Sequence, residues 1–154
     1  MLGILNEPEI EDVLAQNFLG RIGCHVNGRT YVVPISYAYS EGCIYAHTYE
    51  GLKIEMMRKN PQVCFEVDAM KDMSNWKSVI GWGEYEEITE VKDRNKALRT
   101  LMKRKLPSLA SVTTRLSDDW PFYTDELDHI KGIVFKIPLA EKSGRFELHS
   151  TVSF

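Results

Sequence analysis

The chain has 154 residues, a formal net charge of −3, and a composition of 44% hydrophobic and 27% charged residues. These proportions exclude a disordered chain, a collagen and a coiled coil, and the length predicts a single domain over residues 1–154. The slightly acidic balance argues against nucleic acid as a partner, because phosphate binding usually requires a surplus of Lys and Arg. Without a basic signal-peptide region or an apolar run of about 18–20 residues, the chain is expected to be cytoplasmic, with no membrane partner.

The three cysteines are widely spaced and form no paired motif. Cys24, Cys43 and Cys64 are odd in number and none is part of a CxxC sequence. This spacing is a poor disulfide framework and matches no zinc pattern, so three free thiols and no metal site are expected.

In the first part of the chain, local signals predict a helix followed by a hairpin. Asn6 and Pro8 indicate the start of a short helix, because asparagine caps helices and proline suits the first turn. The stretch Leu19–Val26 then reads as a strand, and the Asn27-Gly28 pair after it is typical of a tight hairpin turn.

The return strand, residues 30–39, alternates in its side chains and contains a proline. Its odd-numbered positions carry three tyrosines, more aromatic surface than a small barrel interior readily holds. Part of this face, with the strand at residues 76–82, is therefore expected in a two-fold interface. Pro34 cannot donate a ladder hydrogen bond, so it belongs at an edge, at a bulge, or where the backbone is diverted towards something else.

The rest of the chain alternates between strands and helices, with one less regular stretch. Strands are predicted at residues 43–47, 63–67, 79–88 and 130–139, and helices at 51–59 and 91–104. Residues 107–128 predict loops and short helical turns. Six strands with short hairpins and two or three helices predict a mainly β fold, an antiparallel barrel, closed or split, with peripheral helices.

Residues 47–53, His-Thr-Tyr-Glu-Gly-Leu-Lys, lead from a strand through a polar turn into a helix. The unpaired N–H groups and the dipole at a helix N-terminus favour an anion. Lys53 lies in the first turn, and His47 and Thr48 can add side-chain donors, so the turn fits a phosphate monoester. A solvated turn whose lysine faces water is the alternative.

A second group of interest is residues 76–83, Trp-Lys-Ser-Val-Ile-Gly-Trp-Gly. Gly81 and Gly83 within one strand predict a bulge or a close approach of the backbone to something bulky. Lys77 and Ser78 can hydrogen-bond the edge of a ligand. An edge strand with exposed tryptophans is an equally good interpretation.

No catalytic residue can be identified from the sequence. There is no GxSxG elbow and no Walker loop. Cys24 and His25 are adjacent on a strand and should point to opposite faces, so they cannot act as a pair. His129 and His149 are predicted to be surface residues.

Several spaced motifs in this order resemble the pyridoxamine 5'-phosphate oxidase-like superfamily, most closely its nitroimidazole-resistance branch. The resemblance covers about residues 10–90 and, more faintly, 130–145. The motifs that carry it are Gly-Arg-Ile-Gly at 20–23, Tyr-Val-Val-Pro-Ile-Ser-Tyr at 31–37, the turn at 47–53, Asn-Pro-Gln-Val-Cys-Phe at 60–65, and the strand at 76–83.

The resemblance implies a split β-barrel of the FMN-binding type, which forms a homodimer with the flavin at the subunit interface. By position, three groups of residues are expected to bind FMN. They are Val33, Pro34 and Ile35 at the flavin ring; His47, Thr48, Gly51, Leu52 and Lys53 at the phosphate; and Ser78 and Val79 flanking the ring.

Two departures from the family pattern argue against vitamin B6 oxidation. Gly51-Leu52 stands where the pyridoxamine phosphate oxidases have a serine–arginine pair. Those enzymes also end in an arginine-rich segment, whereas Arg145 is the single arginine between residues 131 and 154.

The resulting hypothesis is an FMN-dependent oxidoreductase of the nitroreductase or flavin reductase type. It would reduce nitroaromatic or quinone-like acceptors with a nicotinamide donor, and the flavin would carry the electrons. One alternative is a flavin carrier or sensor without turnover. Another is a haem-binding member of the superfamily, with His25 or His47 as the ligand. The absorption spectrum of the purified protein distinguishes flavin from haem.

Overall fold

The computed structural model describes residues 1–104 and 127–149. The loops and short turns predicted at 107–128 lie outside the described residues up to position 126. The helices are α1 (Glu7–Gln16), α2 (Leu52–Lys59), α3 (Val91–Met102) and a 3₁₀ turn (Leu127–His129). The strands of the described part are β1 (Leu2–Ile4), β2 (Leu19–Val26), β3 (Arg29–Ser36), β4 (Ala38–Ser40), β5 (Cys43–Thr48), β6 (Gln62–Asp72), β7 (Asn75–Glu84), β8 (Glu86–Glu87) and β9 (Ile133–Glu147).

These strands form one antiparallel sheet whose two ends come together. The order is β3-β2-β6-β7-β9-β5-β4, and β1 and β8 pair with β9 outside this path. β3 and β4 end the order, yet only Tyr37 lies between them. Because Ser36 and Ala38 are at most about 7 Å apart, the sheet curls until its ends nearly meet. The sheet is not closed, so the predicted antiparallel split β-barrel with peripheral helices is confirmed.

The strand predicted at residues 30–39 is interrupted at Tyr37, and its tyrosine face packs against the core. Tyr37 is fully buried, its hydroxyl donates to the Leu14 carbonyl at 2.8 Å, and its ring meets Phe65 edge-on. Tyr31 and Tyr39 pack against the same core. Tyr37 is therefore unavailable to a subunit interface, whereas Tyr31 and Tyr39 are partly exposed, and the expected two-fold interface stays a prediction.

Helix α1 covers one end of the barrel, and its start agrees with the sequence prediction. The Asn6 side chain accepts from the Glu9 backbone N–H, and the Glu9 side chain accepts from the Asn6 N–H, which completes a capping box. The apolar stripe of Ile10, Val13 and Leu14 is buried in the core.

The longest strand, β9, is a partner of both halves of the sheet. Its first half pairs with β5 and β8, and its second half pairs with β7 and β1. The register with β7 shifts between Trp82 and Gly83, which confirms the predicted bulge. A Cβ on Gly83 would lie 2.0 Å from the carbonyl oxygen of Pro138 on β9. The close approach predicted at this glycine is therefore made by the chain's own backbone.

Helix α3 packs on the outside of the barrel around a second, smaller core. Ala97, Leu98 and Leu101 are buried there against Val134 of β9. Within residues 1–104 and 127–149, no helix is long and apolar enough to cross a membrane.

Candidate functional site

The turn between β5 and α2 leaves the start of a helix without a side-chain cap. β5 ends at Thr48, which is buried, and α2 begins at Leu52 with Gly51 as its N-cap residue. The Gly51 carbonyl accepts from the Glu55 N–H at 3.1 Å, but no side chain accepts from the first turn. The N–H groups of this turn are therefore available to an anion.

Lys53 places a positive charge at this helix start and has no acidic counter-ion within residues 1–104 and 127–149. Its side chain is half-buried, and burial lowers its amine pKa. Among the described residues, no carboxylate forms an ion pair with it. Lys53 interacts electrostatically with Cys24. Burial raises the pKa of the Cys24 thiol to about 11, so this sulfur is a neutral thiol at pH 7. A half-buried ammonium with this environment favours an external anion.

The approach to the turn is open. A Cβ on Gly51 would have no atom within 4 Å, and the side chains of Tyr49 and Leu52 on either side are exposed. The residues present therefore fit a phosphate group. They offer a cation, uncapped N–H donors and free space above the backbone.

His47 anchors the turn from inside the protein. Its ring is buried, and Nε2 lies 2.5 Å from the Lys131 carbonyl oxygen. Because a carbonyl only accepts, Nε2 must carry the proton. The ring also meets Tyr49 edge-on, and Gly132, at φ +102°, gives it room, since a Cβ there would lie 2.7 Å from Nε2. The Nε2 N–H is thus bonded to the main chain, and the expectation that His47 adds a donor to a phosphate stays a prediction.

The two histidines considered as haem ligands have different environments. His25 is exposed on β2, whereas His47 is buried and bonded to the main chain. Cys24 is buried beside His25, so the adjacent pair points to opposite faces as predicted. Cys24, Cys43 and Cys64 are all free thiols, and His129 and His149 are exposed.

The three residues expected at the flavin ring lie on an edge strand. β3 ends the sheet order, which explains why Pro34 is tolerated there. Pro34 is exposed, while Ile35 is buried in the barrel and Val33 is partly covered. β3 and Lys53 are both close to β2, because Cys24, the neighbour of Lys53, pairs with Tyr31 of β3.

Ser78 and Val79 are not brought to this edge within one chain. They lie on β7, which is separated from β3 by β2 and β6, or about 14 Å along the sheet. The Ser78 hydroxyl donates to Glu66 at 3.2 Å, and Val79 is fully buried. Residues 47–53 therefore form one local group, β3 is linked to them through β2, and Ser78 and Val79 lie apart within one chain.

The site also contains an ion-pair network that was not predicted from the sequence. Arg58, in the last turn of α2, contacts both Glu50 in the turn and Glu87 in β8. The partners are eight and twenty-nine residues away, beyond the range of a helical or hairpin pairing rule. In the sequence, the signal for this network was Glu50, a charged residue next to the predicted anion site.

Fold and turn together define a small split-barrel protein in which β5 leads into a helix start without a side-chain cap. Residues 6–146 match the family described as pyridoxamine 5'-phosphate oxidase. The chain belongs to this family, and the resemblance seen in the sequence is confirmed.

Comparison with individual proteins agrees with this assignment. An uncharacterised protein of Rhizobium meliloti is 34% identical over 85 residues, which cover 55% of this chain and 56% of that protein. The chain thus matches about half the length of this relative. The structure of an FAD-binding protein from Mesorhizobium loti is 32% identical, with a TM-score of 0.73, and the match covers 97% of this chain and 98% of that one.

A protein of Bacteroides thetaiotaomicron assigned to 5-nitroimidazole antibiotic resistance also has a similar structure. It is 22% identical, with a TM-score of 0.71 and coverage of 95% of this chain and 87% of that one. At this identity the likeness concerns the fold alone.

Proposed function

We propose that this chain binds a flavin, with FMN as the cofactor, and holds the phosphate end at the turn of residues 47–53. The observation that carries the proposal is Lys53, a half-buried cation at an uncapped helix start, with no carboxylate partner in the described part of the chain. The similarity to a protein named as FAD-binding over almost the whole chain supports the flavin class.

In this proposal each residue has a physical task. The Lys53 ammonium pairs with the phosphate, the first-turn N–H groups donate to its oxygens, and Gly51 leaves the space it occupies. The edge of β3 at Pro34 lies along the ring, because the missing N–H leaves one side of this strand without a donor. The bound flavin supplies electron transfer, and we infer a flavin-dependent oxidoreductase that accepts electrons from a nicotinamide and passes them to nitroaromatic or quinone-like compounds.

The phosphate interpretation predicts that FMN binds more tightly than riboflavin. Each lost charge-assisted hydrogen bond costs about 1.5–3 kcal/mol, so riboflavin should bind at least about ten-fold more weakly. Fluorescence titration of the purified protein measures both affinities, with FAD as a third ligand. Equal affinity for FMN and riboflavin would contradict the phosphate site, and tighter binding of FAD would replace FMN as the cofactor.

Turnover distinguishes the oxidoreductase from a flavin carrier or sensor. The oxidoreductase should consume NADH or NADPH when a nitroaromatic or quinone is added to the flavin-loaded protein. A carrier should bind flavin with the same affinity and give no acceptor-dependent oxidation. Stopped-flow bleaching of the flavin absorption by the nicotinamide reports the first half of the reaction directly.

We further propose that the chain forms a homodimer through the outer face of its sheet. Val32 of β3 and Trp82 of β7 are 64% and 40% exposed. Gly23 and Cys64 lie between them in register, and their small side chains leave a flat apolar row across four strands. Exposed apolar patches mark interaction sites. A two-fold partner on this row would bring β7 of one copy towards β3 of the other.

The dimer proposal predicts that Val32→Asp halves the mass of the protein in solution. Light scattering should give twice the 17.7 kDa of one chain for the wild type and a single-chain mass for the variant. Val91→Asp is the matched control, because Val91 is equally exposed, at 61%, but begins α3 away from this face. A single-chain mass for the flavin-loaded wild type would refute the proposal.

A further inference from the structure

Arg58 holds the side chain of Glu50 by a two-pronged contact. Nη1 and Nη2 each lie 2.9 Å from one carboxylate oxygen of Glu50. Nη2 also lies 2.5 Å from Glu87, which accepts from the Tyr85 hydroxyl at 3.2 Å. Both carboxylates raise the pKa of Arg58 and keep the guanidinium charged. Arg58 therefore restrains Glu50 through both carboxylate oxygens, and Glu87 in turn restrains Arg58.

The position of Glu50 makes this restraint matter for an anion at the turn. Glu50 directly precedes the N-cap Gly51 and lies three residues before Lys53. Because its side chain is 65% exposed, neighbouring atoms leave it room to change rotamer. Carboxylates are favoured at helix N-termini, and Glu50 is the carboxylate that directly precedes this one. It is thus an internal competitor for the site of the phosphate.

We propose that Arg58 is a positioning residue that keeps the Glu50 carboxylate away from the phosphate site at the start of α2. The inference rests on the proposed phosphate site and adds a specificity element to it. Glu87 fixes the guanidinium from the other side, and Tyr85 orients Glu87. The network contacts no ligand itself. Its effect is to leave Lys53 and the helix N–H groups free for an external anion.

The test is a rescue experiment on flavin binding by the full chain. Arg58→Ala should weaken FMN binding about five-fold, since a carboxylate then competes at the helix start. Riboflavin binding should not change, because riboflavin has no phosphate to displace. The double variant Arg58→Ala/Glu50→Gln should bind FMN within about two-fold of the wild type, because the competing charge is gone. Lys59→Ala removes an exposed cation from the same helix end and should bind FMN normally.

Three results would overturn the inference. Arg58→Ala with wild-type FMN affinity would show that Glu50 does not compete. Loss of affinity that Glu50→Gln fails to restore would show that Arg58 acts by bracing the turn. If the wild type binds FMN and riboflavin equally, the phosphate site itself is wrong and both proposals fail. If Lys53→Ala loses FMN but Arg58→Ala does not, the positioning role alone is refuted. Thermal melting of each variant confirms that it is folded.

Discussion

Lys53→Ala is expected to weaken FMN binding about ten-fold or more while the protein stays folded. Loss of the ion pair with the phosphate removes about 1.4 kcal/mol or more, which is a factor of ten. Without ligand, the substitution should be neutral or slightly stabilising. Burial lowers the Lys53 pKa, a cation in the first helical turn opposes the dipole, and alanine is the best helix former. Fluorescence titration and thermal melting of the ligand-free protein measure the two effects.

The two effects have opposite signs, which makes the experiment decisive. Lys59→Ala, an exposed lysine in the last turn of the same helix, is the control for the loss of one charge. A Lys53 variant that melts well below the wild type without flavin would show that Lys53 is structural. A variant that melts normally and binds FMN as tightly as the wild type would show that the Lys53 side chain faces water and does not contact the phosphate.

The largest effect on stability is expected from Gly83→Ala. The new Cβ would lie 2.0 Å from the carbonyl oxygen of Pro138, and backbone on a central strand cannot move aside as a side chain can. The substitution should reduce the free energy of unfolding by about 3 kcal/mol or more. For a chain of this size the melting temperature should fall by roughly 6–12 °C, measured by calorimetry or circular dichroism.

Gly81→Ala is the matched control for this prediction. Gly81 lies two residues earlier on β7, but its Cβ would meet the side chain of Leu139, at 2.8 Å, which can change rotamer. Its effect on the melting temperature should be clearly smaller. Equal losses for the two variants would contradict the argument that the Pro138 backbone sets the spacing between β7 and β9.

Features with a local cause could be predicted from the sequence. The Asn6 cap, the Asn27-Gly28 turn and the ends of α2 each depend on residues within a few positions of one another, and all are present in the structure. An antiparallel barrel, closed or split, followed from the number of strands and the shortness of their connections, and the family resemblance implied the split form. The strand, turn and helix predicted around residues 47–53 are present for the same reason, because those residues are consecutive, and their role as a phosphate site stays a prediction.

Features that depend on distant pairings could not be predicted. The extension of β9 to Glu147 requires β7 and β1 as partners, and residues 140–147 have no continuous apolar pattern of their own. The burial of Tyr37 depends on α1, which supplies the Leu14 carbonyl for the tyrosine hydroxyl. The environment of His47 depends on Lys131, 84 residues away, which presents its carbonyl to the ring.

The central position of β9 also sets the order of events during synthesis. β5 and β7 both use β9 as a sheet neighbour, and β9 spans Ile133–Glu147. While the ribosome makes the chain, two strand edges therefore stay without a partner until the final fifth of the sequence has emerged. Unpaired edges are the surfaces through which nascent chains associate wrongly. We expect the nascent chain to be prone to wrong association until β9 has emerged and to complete its barrel only then.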